Sequence, residues 1–119
     1  MIQRQPFKNQ YTRETRIKER HRLSERYPAH IPVICECHNI GEFTIAIKKK
    51  KYLVPFDLTV RDFMSILKKQ LKILPSESLI ISIDGNVIAS DYTMLELSYE
   101  YPSEDGFLYI EYSKEATFG

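Results

Sequence analysis

The chain has 119 residues, about the length of one domain. With 43% hydrophobic and 28% charged residues, it has the composition of a folded protein and not of a wholly disordered one. The sequence has no apolar run near the ~18 residues that cross a bilayer, and its first twenty residues lack the apolar stretch of a signal peptide. Two cysteines are too few for a disulfide scaffold, which favours a reducing, cytoplasmic compartment.

The net charge of +1 conceals a strong asymmetry along the chain. Residues 1–30 carry eight Lys/Arg and three Asp/Glu, a balance of +5, and residues 31–72 carry eight and four, a balance of +4. Residues 73–119 carry one and nine, a balance of −8. Such a chain presents surfaces of opposite potential. Nucleic acid is one candidate partner of the basic half, but no nucleic-acid-binding motif accompanies it, and a solvated helix with a lysine-rich turn explains the charge more simply.

The front of the chain is predicted to be irregular and then helical. We expect residues 1–10 to be loose, because Pro6 bars a continuous helix. Residues 13–26 are rich in helix-forming residues, with Ile17 and Leu23 as the only large apolar side chains. This pattern predicts a helix that lies on a surface and buries a narrow stripe.

Two strands and a helix are predicted next. The β-branched run Ile31–Cys37 predicts a strand in which Pro32, lacking an N–H, lies at the start or on an open side. Residues 38–47 link it to a second strand, Lys50–Phe56. Residues 58–71 then form the clearest helix, because their large apolar side chains share one face. These side chains are Val60, Phe63, Met64, Leu67 and Leu71. Thr59 and Asp62 are spaced as a capping box at the start of this helix.

The rest of the chain predicts short strands and one short helix. Leu79–Asp84 is a strand, and Asp84-Gly85-Asn86 is a tight turn into the short strand Val87-Ile88. Thr93–Tyr99 is a short helix or 3₁₀ turn, and Phe107–Tyr112 is the last strand. One amphipathic helix on a mixed sheet, in this order, is the α+β architecture called the ubiquitin-like β-grasp.

Four segments and the chain end carry a resemblance to a known family. The sequence resembles the autophagy ubiquitin-like modifiers, which include the microtubule-associated light chain 3 and GABA-receptor-associated proteins, from about residue 13 to residue 119. The matching segments are Tyr27-Pro28 with Ile31-Pro32-Val33-Ile34, then Lys49-Lys50-Lys51-Tyr52-Leu53-Val54-Pro55, Asp57-Leu58-Thr59-Val60, Glu104-Asp105-Gly106-Phe107-Leu108-Tyr109, and the terminal Phe118-Gly119. The chain departs from the family in about one extra residue between Cys37 and Lys49, and in Gln70 where an arginine is frequent. The resemblance implies an N-terminal helical extension (1–28) packed on a ubiquitin-like core (29–112), and a flexible conjugation tail (113–119).

The resemblance also implies a chemistry for the chain end. Gly119 is expected to be adenylated by an activating enzyme, passed to carrier and ligase-like conjugation enzymes, and amide-linked to phosphatidylethanolamine. Glycine suits these steps because, with no Cβ, its carbonyl can be approached closely in a narrow channel. Gly119 is either the natural end of the chain or the product of processing. We expect a cytoplasmic monomer that moves to the autophagosomal membrane once it carries the lipid.

A partner-binding groove is the second implication of the resemblance. Lys49–Val54 is the candidate open edge, where a partner peptide with an aromatic-x-x-aliphatic motif, such as one from a cargo receptor, would add as a strand. The residues implied for the aromatic pocket are Glu19, Leu23, Pro32, Ile34, Lys51, Leu53 and Phe107. The residues implied for the aliphatic pocket are Tyr52, Val54, Pro55, Leu58, Phe63 and Ile66. Lys49, Lys51 and Arg26 would meet acidic residues that flank the motif, whereas a core role for Ile34 and Phe63, and protection of an exposed edge by the lysines, stay open as alternatives.

Other chemistries are not supported by the sequence. Cys35-Glu36-Cys37-His38 lacks the second ligand pair that a tetrahedral zinc site needs, and a buried apolar role for the cysteines is favoured. No arrangement of Cys with His21, His30 or His38 indicates a nucleophile, so we expect neither an enzyme nor a cofactor. A ubiquitin-like interaction module that is not conjugated, for example one that binds tubulin through its basic helix, remains as the alternative function. We expect no nucleic-acid partner.

Overall fold

A computed structural model describes residues 6–39, 41, 43 and 45–114. Its helices and strands are α1 (Phe7–Gln10), α2 (Arg13–Arg26), β1 (His30–Cys37), β2 (Lys51–Pro55), α3 (Val60–Leu71), β3 (Ile80–Ile83), β4 (Asn86–Val87), α4 (Met94–Glu100) and β5 (Leu108–Ser113). The strands form one sheet in the order β2-β1-β5-β3-β4, with β1 and β5 parallel at its centre and the other neighbours antiparallel. This topology confirms the predicted β-grasp with an added helical front.

Helix α3 covers one face of the sheet and forms the main core. The predicted capping box is confirmed, since Thr59 Oγ1 accepts from the N–H of Asp62 at 3.1 Å and Asp62 Oδ2 accepts from the N–H of Thr59 at 3.3 Å. The predicted apolar face is buried except for the half-buried Met64. Along β1, Val33 and Cys35 point into this core.

The opposite face of the sheet is covered by α1 and α2. Ile34 of β1 and Phe107, the residue before β5, form a second apolar cluster with Leu23 of α2 and Phe7 of α1. The Phe7 ring meets the Phe107 ring edge-on, with centroids 5.5 Å apart. The structure therefore has two separate apolar layers, one on each side of the sheet.

The expectation of a loose front is wrong for Phe7–Gln10, which form a helical turn directly after Pro6. Two tertiary contacts stabilise this turn. The N–H of Phe7 donates to the carboxylate of Glu36 at 2.9 Å, and the ammonium of Lys8 lies 4.4 Å from the centre of the Tyr109 ring. A four-residue helix is too short to form by itself, so no local pattern announces it. Residues 1–5 lie outside the described residues.

A buried ion pair fixes α2 to the sheet. The Arg16 guanidinium donates to the carboxylate of Asp105, and their side chains are 7% and 0% exposed. The same carboxylate accepts from the Tyr109 hydroxyl and, at 3.0 Å, from the N–H of Phe107. Arg16 also donates to the carbonyl of Tyr11 at 3.2 Å, so this one residue joins α2, the segment after α1 and the turn before β5.

The remaining boundaries agree with the sequence within one or two residues. Asp84 and Gly85 have φ values of 51° and 80°, as the predicted tight turn requires. Thr93 caps α4 with a second capping box. Ser113 is buried in β5, so the strand continues one residue into the predicted tail. Pro32 lies inside β1, opposite Leu53 and one residue before pairing with β5 begins, where its missing N–H breaks no ladder bond.

Candidate partner-binding site at an open strand edge

Strand β2 is an edge strand of the sheet that the described residues form. The carbonyl of Lys50 accepts from Cys35 of β1 at 2.8 Å, and the N–H of Phe56 donates to Ala29 at 3.2 Å. Because backbone groups alternate along a strand, those of Lys51 and Leu53, between these two residues, point away from β1. These groups are available to an added strand, as the sequence analysis predicted for this segment.

The seven residues of the implied aromatic pocket are brought to one face of the sheet, beneath α2. The register pairs Ile34 with Lys51 and Pro32 with Leu53, so the four side chains lie side by side. Glu19 reaches the same place from α2, because its carboxylate bonds to the ammonium of Lys51.

Burial separates the pocket residues into a floor and a rim. Leu23, Ile34 and Phe107 are buried together with Phe7, whereas Leu53 is half-buried and packs against this cluster. The alternative interpretation of Ile34 as a core residue therefore agrees with its burial. A partner would meet the rim, which consists of Glu19, Lys51 and Leu53.

The charges on the rim are already paired within the protein. Glu19 accepts from Arg22 at 2.7 Å and from Lys51. These two bonds, that from Arg22 above all, lower the pKa of Glu19 to about 2. The carboxylate is thus ionised at neutral pH and balanced by two cations, so it does not leave a negative rim.

The residues of the implied aliphatic pocket lie on the other side of β2, facing α3. Tyr52, Val54 and Phe63 are buried in the main core, with the Tyr52 and Phe63 rings 5.3 Å apart. Leu58 is half-buried, and the exposed members are Pro55 and Ile66. The alternative interpretation of Phe63 as a core residue therefore agrees with its burial. The surface that a partner can reach at this end is formed by Leu58, Pro55 and Ile66.

Tyr52 makes two further contacts at this end of the site. The Tyr52 hydroxyl donates to Gln70 Oε1 at 2.6 Å, and burial raises the pKa of Tyr52 to about 12. The Lys49 ammonium lies 4.6 Å from the centre of the Tyr52 ring. Gln70 is uncharged. This end of the site therefore lacks the positive charge of the arginine that is frequent at this position in the family.

A groove of about 920 Å³ continues from the aromatic pocket, between the two front helices and residues 46–51. We call it the basic groove, because six of its twelve lining residues are Lys or Arg and one is acidic. It is lined by Phe7, Gln10, Tyr11, Thr15, Arg16, Lys18, Glu19, Arg22, Ala46, Lys48, Lys50 and Lys51. Of these, the sequence analysis named only Glu19 and Lys51 as site residues. The run Lys48–Lys51 indicated the positive charge of this surface. No local sequence pattern indicated that α1 lies beside it.

The predicted buried apolar role of the cysteines is confirmed for Cys35, whereas Cys37 is only half-buried. Cys35 is buried in the main core, and burial raises the pKa of its thiol. The thiol of the half-buried Cys37 donates to the carbonyl of Asn39 at 3.1 Å. Among the residues that the structure describes, no three His, Cys, Asp or Glu side chains are grouped so as to hold a metal ion. In the same part of the chain, no helix is both long and apolar enough to span a membrane.

Comparison with known proteins identifies the family. A sequence profile described as "Autophagy protein Atg8 ubiquitin like" matches residues 15–119. The chain belongs to the Atg8 ubiquitin-like family. Autophagy-related protein 8 of Schizosaccharomyces pombe is 45% identical over 116 residues, 98% of this chain and 95% of its own. That of Mycosarcoma maydis is 42% identical over 116 residues, 98% of each chain. The motif-based resemblance is confirmed, and the protein is an autophagy ubiquitin-like modifier.

Solved Atg8 structures have the same fold. The Trypanosoma brucei ATG8 structure superposes with a TM-score of 0.84 at 36% identity, covering 98% of this chain and 100% of that one. Plasmodium falciparum Atg8, solved with a Plasmodium falciparum Atg3 peptide, gives 0.82 at 30% identity over 94% and 98% of the two chains. Gly119 and Phe118 lie outside the described residues.

Proposed function

We propose that this protein is joined through Gly119, at the end of the tail 113–119, to phosphatidylethanolamine. In that form it would act in autophagosome formation. Membership of the Atg8 family and the side-chain-free terminal residue support the proposal. The phospholipid brings two acyl chains, which hold a protein on a membrane where a single chain binds only marginally. The protein is therefore cytoplasmic before conjugation and membrane-bound after it.

The second part of the proposal is that the edge of β2 recruits cargo receptors and adaptors through aromatic-x-x-aliphatic segments. The observation that carries it is the open edge, with the backbone groups of Lys51 and Leu53 turned outward. In this proposal the aromatic residue of the partner lies at the Lys51 end and its aliphatic residue at the Pro55 end. A peptide whose aromatic residue comes first therefore runs parallel to β2. Because the Plasmodium falciparum relative was solved with an Atg3 peptide, we include a conjugation enzyme among the partners of this edge.

Calorimetry with a short aromatic-x-x-aliphatic peptide tests the groove. Leu53→Ala removes rim surface that the peptide would cover, and we expect its affinity to fall about tenfold. Leu74→Ala is the matched control, because Leu74 is an exposed leucine in the loop after α3. Equal affinities of Leu53→Ala and the unchanged protein would contradict the placement of the pocket.

Intact-mass measurement of membrane-extracted protein tests the conjugation. We expect a phospholipid adduct on the unchanged protein and none on Gly119→Ala, which should bind the peptide with unchanged affinity. Tyr99→Ala is the control for a remote change, since Tyr99 is a highly exposed residue of α4. Normal recovery of Gly119→Ala from membranes would contradict conjugation and favour the interaction module that is not conjugated.

A further inference from the structure

The loop between α3 and β3 lies at the end of the sheet where β5 finishes and the tail begins. Ser113, the last residue of β5, pairs with Ile80, the first residue of β3. Residues 72–79 join the end of α3 to this start of β3. The start of α3 lies at the opposite end of the sheet, since it follows Pro55, which pairs with the first residue of β1. The C-terminal end of α3 is therefore the one nearer the tail.

This end of α3 combines exposed positive charge with an exposed leucine. Lys69 and Lys72 are exposed and form no ion pair within the described part of the chain. Leu74 is 65% exposed. Residues 68–78 contain three lysines and one acidic residue, whereas residues 73–119 as a whole are strongly acidic. We call Lys69, Lys72 and Leu74 the tail-side patch.

Hydrogen bonds hold the loop in the shape that exposes Leu74. The N–H of Leu74 donates to Glu77 Oε2 at 3.0 Å, so the backbone engages the one acidic residue of the loop. The ammonium of Lys68 donates to the carbonyl of Pro75 at 2.9 Å. Lys72 ends α3 with a φ of 55°, a conformation for which glycine is usual. A loop that is already ordered loses little conformational freedom when it binds.

Lysines beside an exposed leucine complement the surface of an anionic bilayer. Basic side chains are attracted to anionic headgroups, and an apolar side chain enters the boundary between the headgroups and the acyl chains. The phospholipid attached through the tail would hold this end of the protein close to the bilayer. Charge, apolar surface and position therefore favour the same ligand.

We propose that the tail-side patch binds anionic phospholipids of the membrane to which the protein is conjugated. Lys69 and Lys72 would face the headgroups, and Leu74 would enter the boundary with the acyl chains. The inference rests on the proposed function, because the attached lipid brings the patch to the membrane. The contact would also orient the protein, with the start of α3 and the segment before it facing away from the bilayer.

A tryptophan at position 74 reports this contact, because the chain has no tryptophan of its own. The protein is conjugated to phosphatidylethanolamine vesicles whose other lipid is phosphatidylcholine or phosphatidylserine. We expect the emission of Leu74→Trp to shift to the blue, and to be quenched by brominated acyl chains, with phosphatidylserine and much less without it. Tyr99→Trp is the matched control. Tyr99 is 78% exposed on α4, which begins beside Leu58 at the other end of the sheet, so its emission should not change.

Binding of the unconjugated protein to phosphatidylserine vesicles tests the charges. Lys69→Gln with Lys72→Gln should weaken this binding about tenfold at low salt, and the loss should shrink as salt is added. Arg26→Gln with Arg61→Gln removes the same charge from exposed residues at the end of α2 and the start of α3. Arg61 is about 16 Å from Lys72 along α3, roughly two Debye lengths at physiological salt, so this control should change the affinity less than about twofold.

The outcomes separate this inference from the proposed function. A lipid adduct on which the emission of Leu74→Trp does not respond to phosphatidylserine would overturn the membrane contact and leave the conjugation in place. Absence of an adduct would overturn the conjugation, and the vesicle binding of the unconjugated variants would still decide the contact. Equal losses from the two charge pairs would show attraction by overall charge and overturn the patch. A blue shift with a conjugation enzyme but not with vesicles would assign the patch to a protein partner and also overturn it.

Discussion

Replacing Asp105 by Asn tests how firmly α2 is held on the sheet. The Asp105 side chain is fully buried and receives the Arg16 guanidinium, the Tyr109 hydroxyl and the Phe107 N–H, while Ser103 Oγ lies 2.9 Å away. These hydrogen bonds outweigh burial and lower the pKa of Asp105 below its ordinary 3.8. The amide of Asn would place an N–H₂ group among donors and remove the charge that balances the guanidinium.

The loss should be about 3–5 kcal/mol in the free energy of unfolding, the range for a buried ion pair that loses one partner. That is a large part of the ~5–15 kcal/mol that stabilises a typical domain. Arg16→Met should cost less, because the carboxylate keeps its bonds to the Tyr109 hydroxyl and the Phe107 N–H. The order of the two variants therefore follows from the number of groups that each leaves without a partner.

Urea unfolding followed by circular dichroism measures both losses, with Glu104→Gln as the neighbouring control. Glu104 is 55% exposed and lies 3.6 Å from Arg13 and 3.8 Å from Arg16, so its loss should cost less than about 1 kcal/mol. Because the folded pKa of Asp105 is depressed, its contribution is complete above pH ~4 and fades at lower pH, where the variant and the unchanged protein converge. A loss below about 1 kcal/mol for Asp105→Asn at neutral pH, with an unchanged denaturant slope, would refute the reasoning.

Two further predictions concern the rim and the turns. Arg22→Met should raise the pKa of Glu19 from about 2 towards 4.5, which NMR titration of the carboxylate measures. The stabilisation from this ionised group is complete above pH 4.5 and is lost as the pH falls through about 2, and an unmoved titration would show that Arg22 is not its main partner. Gly106→Ala should destabilise the fold more than Gly85→Ala, by ~1 kcal/mol in urea unfolding. Both have positive φ, 86° and 80°, but only at Gly106 would a Cβ lie 2.2 Å from Arg20 Nε; equal losses would show that Arg20 moves aside freely.

Local sequence patterns were sufficient to predict an element wherever its own residues determine its structure. The spacing of apolar residues in 58–71 gave both the helix and the face that it buries, and Thr59 gave its start. The Asp84-Gly85 pair gave a turn because few residues tolerate positive φ. The continuous apolar run of β1 is typical of a central strand covered on both faces, but such a run does not indicate which element covers each face.

The contacts that shape the site were beyond such patterns. Arg16 looks like one of many solvated charges in 13–26, and its burial depends on Asp105, which is 89 positions away in the chain. Phe7 is a single apolar residue in a polar stretch, and its packing requires Phe107. The basic groove likewise exists only because α1, α2 and residues 46–51 meet in space. Sequence reasoning thus predicted the open edge of β2, but not the position of α1 beside it.

The segment Glu104–Phe107 shows why a short motif can be specific for a whole fold. Asp105 bonds to the guanidinium of α2, and the φ of 86° at Gly106 lets the chain turn there without a Cβ against that helix. Phe107 then enters the apolar cluster beneath the aromatic pocket. Asp105 and Phe107 therefore both hold α2 against the sheet, and the same helix carries Glu19, which bonds to Lys51.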